Sequence, residues 1–198
     1  MEISESTIKV EKTARYFTMG NPKQNKHLYL FHGYAQNAKY FLQEFDYLSD
    51  DYFLISIEGF SAFYAKGVFG EVGYSWMTKE NRENEINDYL NLINQIKSEV
   101  SINNERIYLL GFSQGSQTAS RWVNGNNTEE LILCGGLVPK DCNALNTKVN
   151  VIIGNDDKFV SKESYAAFKT HYPNYQYHPF QGKHIVHHET VKSILLND

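Results

Sequence analysis

The chain has 198 residues, a length usual for one compact domain, so we expect a single domain over residues 1–198. Hydrophobic residues make up 41% and charged residues 21%, a globular balance that excludes wholesale disorder and fibrous classes. The formal net charge is -4 and no block of Lys and Arg occurs, which argues against a nucleic-acid-binding protein.

The N-terminal segment MEISESTIKVEKTARYF has acidic residues where a signal peptide has a basic start and an apolar run, and no stretch approaches 18 apolar residues. These features favour a cytoplasmic location and no integral membrane association. Cys134 and Cys142 are two thiols whose spacing matches no zinc pattern. We therefore expect neither a disulfide framework nor a metal site.

Short apolar runs rich in β-branched and aromatic residues predict strands. They lie at about 7–10, 14–19, 28–32, 52–57, 106–112, 131–134, 149–153 and 175–180. Apolar residues at helical spacing predict helices between the later runs. These helices lie at about 38–49, 82–100, 115–124, 161–171 and 188–196.

The alternation of strands with helices from about residue 28 predicts a mostly parallel central sheet with helices on both faces, because parallel strands need crossover connections. The first strands have no helix between them, so we expect antiparallel N-terminal strands at one edge. Residues 58–80 contain four Gly and six aromatic residues and are interpreted as one long irregular stretch. Such a loop is usually functional, and its aromatic residues could wall a cleft or simply pack in the core.

The strongest local signal is RIYLLGFSQG at residues 106–115, a β-type run that passes directly into a helical segment. A nucleophilic serine on a tight strand-to-helix turn needs small residues two positions before and after it, and Gly111 and Gly115 provide them. Ser113 is therefore the predicted nucleophile. The Gln114 backbone amide, at the start of the helix, is the first predicted oxyanion donor.

A serine nucleophile needs a base and an orienting acid, which follow it in the order Ser, Asp or Glu, His. The segment NVIIGNDDKFV places two carboxylates after an apolar strand. Asp157 is the preferred acid and Asp156 the alternative. Either residue could instead be a helix cap or a solvated turn residue.

Four histidines lie near the C-terminus, and only one can be the base. They are His178, His184, His187 and His188. His184 follows a strand and a Gly-Lys turn, so it is expected on a loop at the same strand ends as the serine. His187 and His188 fall at the start of the last helix, where helix capping or surface exposure explains them. No H-E-x-x-H pattern accompanies the four histidines, so a metal site has no support.

The segment HLYLFHGYAQNAKYF predicts a strand followed by a loop that supplies the second oxyanion donor. The Tyr34 amide is the expected donor. His32 precedes the serine in sequence and is interpreted as a hydrogen-bonded structural histidine that holds this loop.

Together LFHGYAQNA, GFSQGS, LCGGLVP, GNDDKFV and GKH resemble the phospholipase/carboxylesterase family, which includes acyl-protein thioesterases, over residues 28–190. The resemblance implies an α/β-hydrolase fold and the same assignments of nucleophile, acid, base and oxyanion amides. It also makes Trp76, in GYSWM, a candidate substrate contact, with core packing as the alternative. Phe112, inside the serine motif, is a second candidate substrate contact.

The sequence departs from the family pattern at two positions and in length. Ser116 stands where the family usually has Gly, and Lys183 precedes His184 where the family has a small residue. The chain is short for the family, so we expect no large lid domain.

The predicted function is hydrolysis of a small-molecule carboxylic ester by a Ser-His-Asp triad through an acyl-enzyme, without a cofactor. Acyl-protein thioesterase and lysophospholipase activities use the same chemistry and stay open. A catalytically inactive binding protein with this fold is the alternative from another class. Both a monomer and a homodimer are compatible with the sequence.

Overall fold

The computed structural model describes residues 2–142 and 145–196. The strands of the described residues are β1 (Tyr16–Met19), β2 (Lys26–Phe31), β3 (Phe53–Ile57), β4 (Ser61–Tyr64), β5 (Val72–Ser75), β6 (Arg106–Phe112), β7 (Glu130–Cys134), β8 (Lys148–Gly154) and β9 (Gln176–Phe180). The α-helices are α1 (Ala38–Gln43), α2 (Arg82–Val100), α3 (Gln114–Val123), α4 (Lys162–His171) and α5 (His188–Leu196). A short 3-10 helix, Asp46–Leu48, follows α1.

The central sheet has seven strands in the order β1-β3-β2-β6-β7-β8-β9. Strand β1 is antiparallel to β3, and every other neighbouring pair is parallel. The predicted parallel sheet with an antiparallel N-terminal edge is confirmed. Since parallel strands end at the same edge, the loops after β2, β6, β8 and β9 gather on one side of the molecule.

The two faces of the sheet are covered by different helices, as the period-two alternation of strand side chains requires. On β2, Leu28 and Leu30 face a buried cluster that contains residues of α1 and α5. Tyr29 and Phe31 face a second buried cluster, which contains residues of α2, α3 and α4. The sheet is therefore a middle layer with apolar side chains on both faces.

Two expectations about the chain before α2 are wrong. Residues 7–10 form no strand and are exposed, because their alternating apolar residues meet no partner strand among the described residues. The stretch 58–80 is not wholly irregular, since β4 and β5 pair in it as an antiparallel hairpin that stands apart from the main sheet.

Candidate active site

Ser113 occupies the sharp turn between β6 and α3, with φ 53° and ψ -114°. A positive φ is costly for a residue with a side chain and is kept only where the surroundings enforce it. A Cβ on Gly111 would lie 2.4 Å from the Gly115 oxygen, and a Cβ on Gly115 would lie 2.0 Å from the Phe31 oxygen. The two glycines therefore allow the close approach that holds Ser113 in this conformation.

The turn is also held by hydrogen bonds. The Ser113 amide donates to the Cys134 carbonyl at 2.9 Å, which ties the turn to the end of β7. The Ser116 hydroxyl is buried and donates to the Gly111 carbonyl at 2.8 Å. Ser116, the residue that departs from the family pattern, thus braces the turn from inside.

Asp157 and His184 lie on the loops after β8 and β9 and are hydrogen-bonded, with 2.7 Å between His184 Nδ1 and Asp157 Oδ2. The other carboxylate oxygen, Oδ1, accepts from the backbone amides of Phe159 and Val160 at 2.8 and 3.2 Å. The Asp157 side chain is fully buried, whereas 16% of the His184 side chain is exposed. Asp156 is exposed and accepts from Gln181 instead.

The imidazole of His184 lies between two phenylalanine rings. The Phe112 centroid is 4.9 Å and the Phe159 centroid 4.5 Å from that of His184. Gly135, with φ 57°, lies so near that a Cβ there would be 2.9 Å from the imidazole. Since Phe112 directly precedes Ser113, this packing places the imidazole beside the serine turn. Phe112 itself is nearly buried and supports the histidine ring.

The two backbone amides predicted to bind the oxyanion belong to Gln114 and Tyr34. Gln114 is the first residue of α3, so its amide has no partner within the helix. The Tyr34 amide makes no hydrogen bond to any described residue, whereas its neighbour Ala35 donates to the Tyr74 carbonyl at 2.9 Å. The Tyr34 side chain is exposed and stacks on Phe63 of the hairpin. The hairpin therefore holds this loop both by its backbone and by ring packing.

A cleft of about 890 Å³ opens at Ser113 and Gln114. Its walls are residues 77–82, residues 135–140 and the segment 159–172 that contains α4. This volume is within the range of sites for small organic ligands. The same cleft thus contains the candidate nucleophile and space for a substrate.

The sequence family follows from a comparison of the chain with known families. The model of the family described as Serine hydrolase (FSH1) matches residues 21–192. This chain belongs to that family. It is a serine hydrolase, as the sequence predicts. No curated protein sequence matches the chain.

Solved structures of related hydrolases share the fold. The Bacillus cereus carboxylesterase has a TM-score of 0.70 at 17% identity, with 91% of each chain covered. Zea mays acyl-protein thioesterase 2 has a TM-score of 0.68 at 14% identity, with 92% of this chain and 96% of that chain covered. A phospholipase/carboxylesterase from Dyadobacter fermentans has a TM-score of 0.66 at 17% identity, covering 96% and 99%. The α/β-hydrolase fold is confirmed, and no large lid is evident among the described residues.

Neither a metal cluster nor a membrane helix is found in residues 2–142 and 145–196 of this serine hydrolase. No group of three or more His, Cys, Asp or Glu side chains there is arranged to hold a metal ion. No helix there is long and apolar enough to span a bilayer.

His32 is fully buried and supports the loop that follows β2. Its Nδ1 lies 2.7 Å from the Gly33 carbonyl, and the Gly59 amide donates to its Nε2 at 3.1 Å. A carbonyl only accepts, so Nδ1 carries the proton and the ring is neutral. Burial lowers the pKa of His32 to about 4. The structural role predicted for this histidine fits these contacts.

The neutral state of His32 makes the fold sensitive to acid. Its pKa is about 6.5 when unfolded and about 4 when folded, so the unfolded chain binds more protons between these values. We expect protonation of His32 to lower the free energy of unfolding by about 2–3 kcal/mol as the pH drops from 7.5 to 4.5. His27 and His178 also have lowered pKa values, chiefly by desolvation, and add to the loss. Urea unfolding at pH 7.5 and at pH 4.5 measures this loss of unfolding free energy.

The control for this acid sensitivity is His32→Gln, which keeps hydrogen-bonding capacity but does not titrate. Its unfolding free energy should fall less between pH 7.5 and 4.5 than that of the unsubstituted protein. Equal losses for the two proteins would show that His32 does not cause the sensitivity.

Trp76 lies in the core and not on the cleft wall. It is 1% exposed, and its indole nitrogen donates to the His32 carbonyl at 2.9 Å. The Gln114 side chain accepts from the Trp76 amide at 3.0 Å and donates to the Met77 carbonyl at 2.8 Å. The alternative of core packing fits this position, where Trp76 supports the loop before α2.

An ion pair between a buried guanidinium and a half-exposed carboxylate fixes the loop that follows β7. The guanidinium of Arg121, on α3, donates to both oxygens of Asp141 at 2.9 and 3.1 Å. The Arg121 side chain is 5% exposed and the Asp141 side chain 46%. The pair therefore connects the helix that begins after the nucleophile to one wall of the cleft.

Loss of the Asp141 charge should destabilise the fold because it leaves Arg121 buried without its carboxylate. We expect Asp141→Asn to lower the free energy of unfolding by about 2–3 kcal/mol, less than for a fully buried pair because Asp141 is half exposed. The matched control is Glu129→Gln, which breaks the exposed pair with Arg106 and should cost less than about 1 kcal/mol. Urea unfolding measures the loss of unfolding free energy in the two variants. Equal losses would show that the Arg121–Asp141 pair stabilises the fold no more than the exposed pair does.

Sequence reasoning misses two residues that contact His184. In the sequence Phe159 is only one letter of the motif GNDDKFV, although its amide holds Asp157 and its ring covers the imidazole. Gly135 is only part of LCGGLVP, although it makes room for the imidazole. The signal for Phe159 is a bulky aromatic residue two positions after the acid.

Proposed function

We propose that this serine hydrolase cleaves carboxylic esters through an acyl-enzyme formed on Ser113. The observation that carries the proposal is the 2.7 Å hydrogen bond between Asp157 and His184. The imidazole of His184 packs against Phe112, which directly precedes Ser113. A buried carboxylate oriented by two backbone amides is suited to fixing one histidine tautomer.

The first step is attack by Ser113 on the ester carbonyl. The ionised Asp157 only accepts hydrogen bonds, so His184 donates through Nδ1, and its Nε2 has a free lone pair. Nε2 takes the serine proton as the oxygen attacks, and the carboxylate stabilises the imidazolium. The amides of Gln114 and Tyr34 hold the oxyanion of the tetrahedral intermediate.

The second step is the release of the acyl group. His184 gives its proton to the leaving alcohol, and the carbonyl forms again as an ester of Ser113. Water then attacks this acyl-enzyme with His184 as the base, which yields a carboxylic acid and the free serine. His184 is partly exposed, so water can reach its side chain.

The experiment that tests the proposal is labelling with a fluorophosphonate probe. We expect a single adduct, located on Ser113 by peptide mass, and none in Ser113→Ala. Hydrolysis of p-nitrophenyl acetate should disappear in the same variant. A folded protein that neither takes the label nor hydrolyses the ester would be a binding protein with this fold, and the proposal would be wrong.

A further inference from the structure

Each of the three walls of the cleft contacts the proposed site near its first residues. Residues 77–82 begin where the Gln114 side chain donates to the Met77 carbonyl. Residues 135–140 begin at glycines, and a Cβ on Gly136 would lie 2.9 Å from the Ser113 carbonyl oxygen. The third wall begins at Phe159, whose ring packs on His184. The cleft is therefore attached to the proposed catalytic residues on all three sides.

The lining of the cleft combines apolar side chains with cations. Its apolar side chains include Met77, Leu137, Val138, Val160, Phe168 and Tyr172. Its cations are Lys79, Arg82 and Lys140, on two of the three walls. Since the whole chain has a net charge of -4, three cations against one lining carboxylate, Glu163, form a local excess of positive charge.

The positive charge of these three residues is only partly neutralised. Lys79 and Lys140 are exposed and form no ion pair with any residue that the structure describes. Arg82 is 3.6 Å from Asp141 and 3.9 Å from Glu83. Asp141 also pairs with Arg121, at 2.9 Å, so the two guanidinium groups share this one carboxylate.

Asp141 connects the two walls that contain the cations. Arg82, on the wall formed by residues 77–82, contacts Asp141. Lys140, on the wall formed by residues 135–140, directly precedes Asp141 in the chain. Lys79 lies on the same wall as Arg82, three residues before it. The cleft is thus lined by cations on two of its walls.

We propose that the substrate of this serine hydrolase is an ester whose acyl chain ends in an anionic oxygen group, bound by Lys79, Arg82 and Lys140. The apolar part of the cleft would bind the methylene chain, and the cations the terminal carboxylate or phosphate. The inference rests on the proposed ester hydrolysis at Ser113 and adds the chemical class of the acyl group.

The test compares two esters of equal chain length, p-nitrophenyl hexanoate and the mono-p-nitrophenyl ester of adipic acid, which adds a terminal carboxylate. We expect a higher kcat/KM for the adipate ester at low ionic strength, and a smaller advantage at about 0.5 M NaCl because salt screens exposed charges. Lys79→Gln and Lys140→Gln should each lower kcat/KM for the adipate ester about two- to fivefold and leave the hexanoate ester unchanged.

The matched control is Lys23→Gln, in the turn before β2, because it lies at the end of that strand opposite the cleft. It should change neither rate. Competition by adipate and by hexyl phosphate against the hexanoate ester separates the two anion types, and the stronger inhibitor identifies the terminal group.

Two results would overturn the inference, and they are distinguishable. In the first, the hexanoate ester is hydrolysed through Ser113, the adipate ester has no higher kcat/KM, and the Lys79/Lys140 double variant has the same ratio of the two kcat/KM values. The proposed anionic acyl group is then wrong, and the proposed ester hydrolysis stands. If neither ester is hydrolysed and the fluorophosphonate leaves no adduct, both proposals fail together.

Discussion

Asp157→Asn should lower kcat by about four orders of magnitude while the protein stays folded. An asparagine side chain has the same shape but can present an amide group to His184 Nδ1, which favours the tautomer with the proton on Nε2. That nitrogen then cannot take the serine proton, and the same substitution in a serine protease triad costs about 10⁴ in kcat. The measurement is the steady-state hydrolysis of p-nitrophenyl acetate, with circular dichroism to verify the fold.

The adjacent carboxylate provides the control for this substitution. Asp156 is exposed and is bonded to Gln181, so Asp156→Asn should change kcat less than about twofold. The sequence alone leaves both residues open as the acid. A loss of activity in Asp156→Asn with an active Asp157→Asn would reverse the assignment.

Of the glycine-to-alanine substitutions near the nucleophile, Gly115→Ala should destabilise the fold most. The new Cβ would lie 2.0 Å from the Phe31 oxygen and 2.6 Å from the His32 oxygen, both of them backbone atoms. The helix must therefore move away from β2, and we expect a loss of about 3 kcal/mol or more in unfolding free energy. The displaced helix would also carry the Gln114 amide away from the site, so activity should fall with stability.

The control is the same methyl group at the other end of α3. A Cβ on Gly125 would have no other atom within 4 Å, so Gly125→Ala should change stability by less than about 1 kcal/mol. Urea unfolding of both variants separates crowding from the general effect of replacing glycine. Equal stabilities would show that the packing of Gly115 against β2 is not needed.

The sequence predicts best where local pattern and tertiary contact agree. The apolar spacing predicts a helix at 82–100, and α2 spans Arg82–Val100, because that spacing is long and regular. The predicted positions of β6 to β9 agree with the structure within about two residues. The order of strand, glycine turn and helix around Ser113 is enough by itself to predict that the candidate nucleophile lies at a strand end.

Contacts between distant segments are missed where no motif marks both partners. The pattern at 7–10 is typical of a strand, but a strand also needs a partner, and none of the described residues pairs there. The β4–β5 hairpin is hidden because its glycines suggest a loop, whereas Gly73 is needed where Ala35 packs close to β5. The exposed Phe159 gains its role only through its distance to His184.

The wall segments of the cleft are joined to the site by a few defined contacts. The Gln114 side chain holds residues 77–82, the Arg121–Asp141 pair holds residues 135–140, and Asp157 holds the start of the third wall. The apolar wall residues Met77, Val138, Phe168 and Tyr172 also belong to the buried core. Lys79 and Lys140 are exposed and take part in none of these contacts. The charge of the cleft can therefore be changed at these two lysines while its anchors and the folding core are preserved.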